Sequence, residues 1–149
     1  SMKNEIIPAT YGVKDANESR DKIFNKEKVD LIVIETMMDI QDARSAILAV
    51  KEHTDIPVIV SCTFENGSRT VTGTPPEVAA ITLEGMGVAA IGANCSTGPN
   101  EMMSLVKILL EKSSCPIFLK PNAGNPSVVN GKTVFPMDTK EFVAHTKKK

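Results

Sequence analysis

Apolar positions along the chain gather into four short runs, each followed by a longer stretch in which apolar residues recur at helical intervals. Val29-Asp30-Leu31-Ile32-Val33-Ile34 is almost continuously β-branched, the pattern of a strand covered on both faces. From Asp39 to His53, Ile40, Ala43, Ile47, Leu48 and Val50 fall on one helical face, with Asp39 placed to cap it. Pro57 to Cys62 reads as a second strand, leading into a polar loop, Glu65 to Arg69, long enough to lie over one end of a sheet. Thr74-Pro75-Pro76-Glu77 predicts a helix start with threonine as cap, and Gly87 stops that helix after Met86. Val88 to Ile91 predicts a third strand. The next helix begins near Asn100 and carries a core stripe of Met102, Met103, Leu105, Val106, Ile108 and Leu109. Pro116 to Lys120 is the fourth strand, and Asp138 to Lys147 a closing helix with Phe142 and Val143 on its buried side. Ahead of these lie a short lead-in strand within residues 4–12 and a charged helix over 15–28.

Successive strands start about 30 residues apart, the size of a βα unit, so four such units follow one another. The fold class is therefore α/β with a parallel sheet and right-handed crossovers, satisfied equally by a barrel segment or a small open sheet. Residues 1–28 form a lead-in segment and 29–149 the four βα units, a single domain overall. A complete eight-unit barrel needs about 250 residues, more than the 149 here.

Charge and composition narrow the partners. Seventeen Lys and Arg balance 18 Asp and Glu, and there is one Tyr and no Trp, so neither a basic field nor a stacking platform points to nucleic acid. The phosphate-binding patterns G-x-x-x-x-G-K-[ST] and G-x-G-x-x-G are absent. Three cysteines without a close pair favour a reducing compartment, and no apolar run approaches the length of a membrane span, which together read as cytoplasmic with no membrane partner. A small-molecule partner is expected.

In a parallel sheet all strands end at one face, so Glu35-Thr36, Cys62-Thr63, Asn94-Cys95 and Pro121-Asn122 should converge on one rim. The stretch Gly92 to Pro99 places Cys95 in a strand-to-helix turn among small residues, where it is a candidate metal ligand or nucleophile; a packing cysteine is the plainer alternative. Cys115 precedes its strand and belongs to the opposite rim, roughly 16 Å away. Cys62 can approach Cys95 from the neighbouring strand, although two thiolates fall short of the three or four protein ligands that zinc takes. His53 and His145 fall in or at the ends of helices, remote from the rim. Glu35, a carboxylate ending an apolar strand, suits a ligand ammonium; capping a helix or pairing with Arg69 would explain it structurally.

Ile34-Glu35-Thr36, the run Pro57 to Thr63, Gly92-Ala93-Asn94-Cys95 with Gly98-Pro99, and Pro121-Asn122-Ala123-Gly124 resemble, in order and spacing, the homocysteine S-methyltransferase family. The resemblance spans about residues 29 to 145 and implies half of a (β/α)8 barrel, the strand four to seven portion. It implies zinc as cofactor, with Cys95 one of three cysteine ligands, and Glu35, Thr36 and Asn94 as homocysteine-binding residues. It further implies methyl transfer to a zinc-bound homocysteine thiolate to give methionine. The methyl donor stays open among methylcobalamin, betaine and S-methylmethionine. The family's paired Cys-Cys ligands, within a Gly-Gly-Cys-Cys motif, are not in the sequence. Two explanations follow: an incomplete barrel half that another copy or subunit complements through exposed sheet edges, or a non-catalytic small-molecule-binding or assembly module.

Overall fold

Four parallel strands in strict sequence order make the sheet in a computed structural model that describes residues 29–65 and 68–146. β1 is Ile32–Met37, β2 Val58–Cys62, β3 Ala90–Asn94 and β4 Ile117–Lys120; α1 (Ile40–Lys51), α2 (Pro76–Gly85) and α3 (Pro99–Lys112) connect them. The order β1-β2-β3-β4 never reverses direction. Right-handed crossovers therefore all fall on the same face, as in successive units of a (β/α)8 barrel, and unlike a doubly wound sheet, where the direction switches. The expected lead-in strand within 4–12 and helix over 15–28 lie outside the described residues.

One-sided winding decides the burial. Ile32, Ile34, Val58, Val60, Ile91 and Ala93 alternate along the strands and are buried, as are Ala43, Ile47, Ala79, Leu83, Met102, Leu105 and Leu109 from the helices. Among the described residues the other face is open at β1, with Val33 47 % exposed and Leu31, just ahead of β1, 44 %. This corrects the expectation that the first strand is covered on both faces: an unbroken β-branched run shows that both faces can be apolar, not that both have a partner.

Local chemistry sets the ends of the helices. The Asp39 carboxylate accepts from the Gln41 N–H at 2.7 Å and caps α1 as expected. Thr74 does not cap α2. Pro75 holds the N-cap position and Pro76 the first turn, while Thr74 exchanges hydrogen bonds with Thr70 in the loop. At the other end Gly87 adopts φ +70, and the Lys51 ammonium bonds the carbonyls of Met86 and Gly87.

The third strand runs two to three residues later than the periodicity predicts, so Gly92, Ala93 and Asn94 are strand rather than turn. Register explains the shift, since Cys62 pairs with Ala93 and Asn94 with Lys120. After β4, β5 (Ser127–Val129) and β6 (Lys132–Val134) form an unanticipated antiparallel hairpin, turned by Asn130-Gly131 at φ +50 and +74. Asn-Gly between apolar residues is a strong hairpin signal that the reading by helical and strand periods passes over. α4, Thr139–Thr146, has no buried residue, and Val143 is 39 % exposed, contrary to the expected apolar side. Among the described residues no helix is long and apolar enough to cross a membrane.

Candidate functional site

The strand ends meet around Asn94, which is 3 % exposed. Its Oδ1 accepts from the Thr36 backbone N–H at 3.0 Å and from the Ser61 hydroxyl at 2.6 Å. Because a backbone N–H can only donate, this fixes the orientation of the amide. Its Nδ2 then donates to Thr36 Oγ1 at 2.7 Å and to Cys95 Sγ at 3.1 Å. Thr63 Oγ1 donates to the Asn94 carbonyl at 3.1 Å. Both amide hydrogens and two acceptor positions are thus used, and Asn94 ties β3 to β1 across the intervening β2.

The backbone around this junction is unusual in the same place. Register between β1 and β2 shifts between Ile34 and Met37, so β1 carries one extra residue where Glu35 and Thr36 lie. Thr36 sits at φ +63, a costly conformation for a β-branched residue, and Asn94 bonds both its N–H and its hydroxyl. Cys95 and Ser96 follow β3 at φ +59 and +65. The Cys95 N–H donates to the Lys120 carbonyl, and the Asn122 N–H to the Thr97 carbonyl, so the loops after β3 and β4 are laced together. The Thr97 hydroxyl is buried without a hydrogen-bond partner among the described residues. Glu35, Thr36, Asn94, Cys95 and Asn122 thus share one rim.

Cys62 leaves this group. It alternates with Ser61 and Thr63, whose hydroxyls reach Asn94, and therefore lies on the opposite, helix-covered face of β2 with Val58 and Val60. Burial pushes its thiol up to about 12, which favours a protonated packing cysteine over a thiolate ligand. Cys115 stands at the other end of the sheet, its Sγ against the Val88 carbonyl. Among the described residues no group of three His, Cys, Asp or Glu side chains is arranged to hold a metal. Zinc needs three or four protein donors, and Cys95 is the single thiol brought to this rim; the described residues do not by themselves fit a zinc centre.

Glu35 pairs with Lys120 rather than with Arg69, whose guanidinium bonds the Gly73 carbonyl instead. Among the described residues β1 and β4 are the two edges of the sheet, so a Glu35–Lys120 ion pair requires the sheet to curl toward the face that carries them. Thr63 reaches the rim as its strand-end position predicts, whereas Ser61 and Lys120 were missed by sequence reasoning. The signal was present in each case: a polar residue inside or closing an otherwise apolar strand, the same feature that singles out Glu35.

A profile of the family described as Homocysteine S-methyltransferase matches residues 12–148. The chain belongs to the homocysteine S-methyltransferase family. Among curated homologues, methionine synthase of Mycobacterium leprae (strain TN) is 30 % identical over 118 residues, covering 76 % of this chain and 10 % of that protein. Methionine synthase of Mycobacterium tuberculosis (strain ATCC 25618 / H37Rv) is 32 % identical over 102 residues, covering 65 % and 9 %. The chain spans about a tenth of the length of these relatives. In fold it is similar to the apo form of the homocysteine methyltransferase MmuM from Escherichia coli, with TM-score 0.65, 20 % identity, and coverage of 78 % of this chain and 47 % of that one. This methyltransferase family member thus presents the family's α/β units and one rim of polar strand ends.

Proposed function

We propose that residues 29–149 are the homocysteine-binding half of a (β/α)8 homocysteine S-methyltransferase, which methylates the homocysteine thiol to give methionine. The observation that carries this reading is the Asn94 junction, which holds Cys95 Sγ and the strained Thr36 beside the Glu35 carboxylate at the strand ends. Glu35 binds the ammonium group of homocysteine, and Thr36 and Asn94 shape the pocket wall against its side chain. Asn94 orients the Cys95 sulfur toward the rim. Cys95 is the donor this chain contributes to a zinc centre whose other donors come from outside the described residues. The methyl donor, methylcobalamin among the candidates, approaches from the open side of the rim. The curled sheet leaves β1 and β4 as edges, and a complementary barrel half or a second copy seated there completes the enclosure.

That one metal donor reaches the rim also favours a second reading, a module that binds homocysteine without turning it over. Both readings require the amino acid to bind. Calorimetric titration of L-homocysteine into the chain should show saturable binding, weakened about tenfold by Glu35→Gln as a charge-assisted hydrogen bond is replaced by a neutral one. Absence of binding to the unsubstituted chain overturns both readings.

A further inference from the structure

The ion pair over the rim has an arrangement that the ammonium-binding role of Glu35 does not explain. Lys120 closes β4 directly opposite Asn94 in register, and its carbonyl is held by the Cys95 N–H at 3.2 Å. Its backbone is therefore fixed at the junction, while its side chain crosses the open face to Glu35 on the far edge of the sheet. Only one carboxylate oxygen, Oε2, is engaged. Among the described residues Glu35 Oε1 and two of the three ammonium protons of Lys120 have no protein partner. The side chains are 34 % and 58 % exposed, so solvent or a ligand reaches both heads.

We infer that Glu35 and Lys120 are the two arms of a clamp for the zwitterion of an α-amino acid, Glu35 taking the ammonium and Lys120 the carboxylate. The inference rests on the homocysteine reading and adds to it how the carboxylate end is recognised. Without ligand the two arms neutralise each other. A ligand bearing only an ammonium meets the Lys120 charge, and one bearing only a carboxylate meets Glu35. A zwitterion entering between them replaces one ion pair by two, with charges alternating across the rim. The long flexible stem of lysine lets its head withdraw from Glu35 by the span of the ligand without moving β4. Selection at this site therefore acts on the amino-acid backbone of the substrate, leaving its thiol free to point toward Cys95.

The test compares L-homocysteine with 3-aminopropane-1-thiol, which keeps the thiol and the ammonium but lacks the carboxylate, by calorimetric titration. The unsubstituted chain should prefer homocysteine about tenfold. Lys120→Met should weaken homocysteine by about the same factor and bind 3-aminopropane-1-thiol no more weakly, since its ammonium no longer meets the lysine charge, so the preference is abolished, whereas Lys120→Arg should retain it. Glu35→Gln should weaken both ligands. If Lys120→Met binds homocysteine as tightly as before, or more tightly, the lysine merely competes for Glu35 and the clamp is overturned. Equal binding of the two ligands by the unsubstituted chain also overturns the clamp and leaves the homocysteine reading standing. Binding of neither overturns both.

Discussion

Asn94 concentrates more of the site's structure than any other single side chain described, because its amide satisfies three other residues at once. Removing it leaves the Thr36 N–H and the Ser61 hydroxyl without their acceptor in a buried junction, and frees Thr36 and Cys95 from the contacts that over-determine their positive φ angles. Asn94→Ala should destabilise the chain by about 2–3 kcal/mol, read by urea denaturation, since unpaired buried polar groups cost more than a net hydrogen bond is worth. A loss below about 0.5 kcal/mol would show that the junction is not held in this way. The Asn-Cys pair was legible in the sequence as a candidate. Its role as a hub was not, because Thr36 and Ser61 lie 58 and 33 residues away. The pairing of Glu35 with Lys120, 85 residues apart, was illegible for the same reason.

At the scale of elements, Gly92 shows why β3 must carry a glycine. A methyl group there would stand 2.6 Å from the Phe118 carbonyl oxygen and 2.8 Å from its ring, across the β3–β4 pair. Gly92→Ala should therefore cost about 2 kcal/mol or more, and truncating Phe118 should not restore stability, because the backbone oxygen remains in the way. Thermal unfolding of the single and double variants checks this. The Asp39 cap and the stripe of Met102, Leu105 and Leu109 were readable because they are local, whereas Thr74 yields the cap position to Pro75 and the expected core residues Leu48 and Met103 are exposed. Strand limits slid where the deciding factor was register with a neighbour, and α4 misled because an apolar pair does not specify what covers it.

At the scale of the molecule, the unreversed strand order predicts unequal sensitivity of the two sheet faces. Val60 is fully buried beneath the helices and Val33 is 47 % exposed on the open face. Val60→Ala should cost about 2 kcal/mol or more, whereas Val33→Ala should stay within about 0.5 kcal/mol, both by urea unfolding of the chain. Equal costs would mean that the open face is covered in solution.

The sequence by itself determined the number and order of the βα units, their parallel direction and the convergence of Glu35, Thr36, Asn94 and Cys95 on one rim. These follow from local periodicity and from the handedness of the crossovers, which act the same way in any context. The tertiary structure alone decided that Cys62 turns away from the rim, which face of the sheet is open at β1, and that the two edge strands curl until Glu35 and Lys120 meet. Those outcomes depend on register and curvature, which arise from contacts between residues distant in the chain. A one-residue change of register moves a side chain to the other face, and that parity separates buried Cys62 from Ser61 and Thr63 at the Asn94 junction.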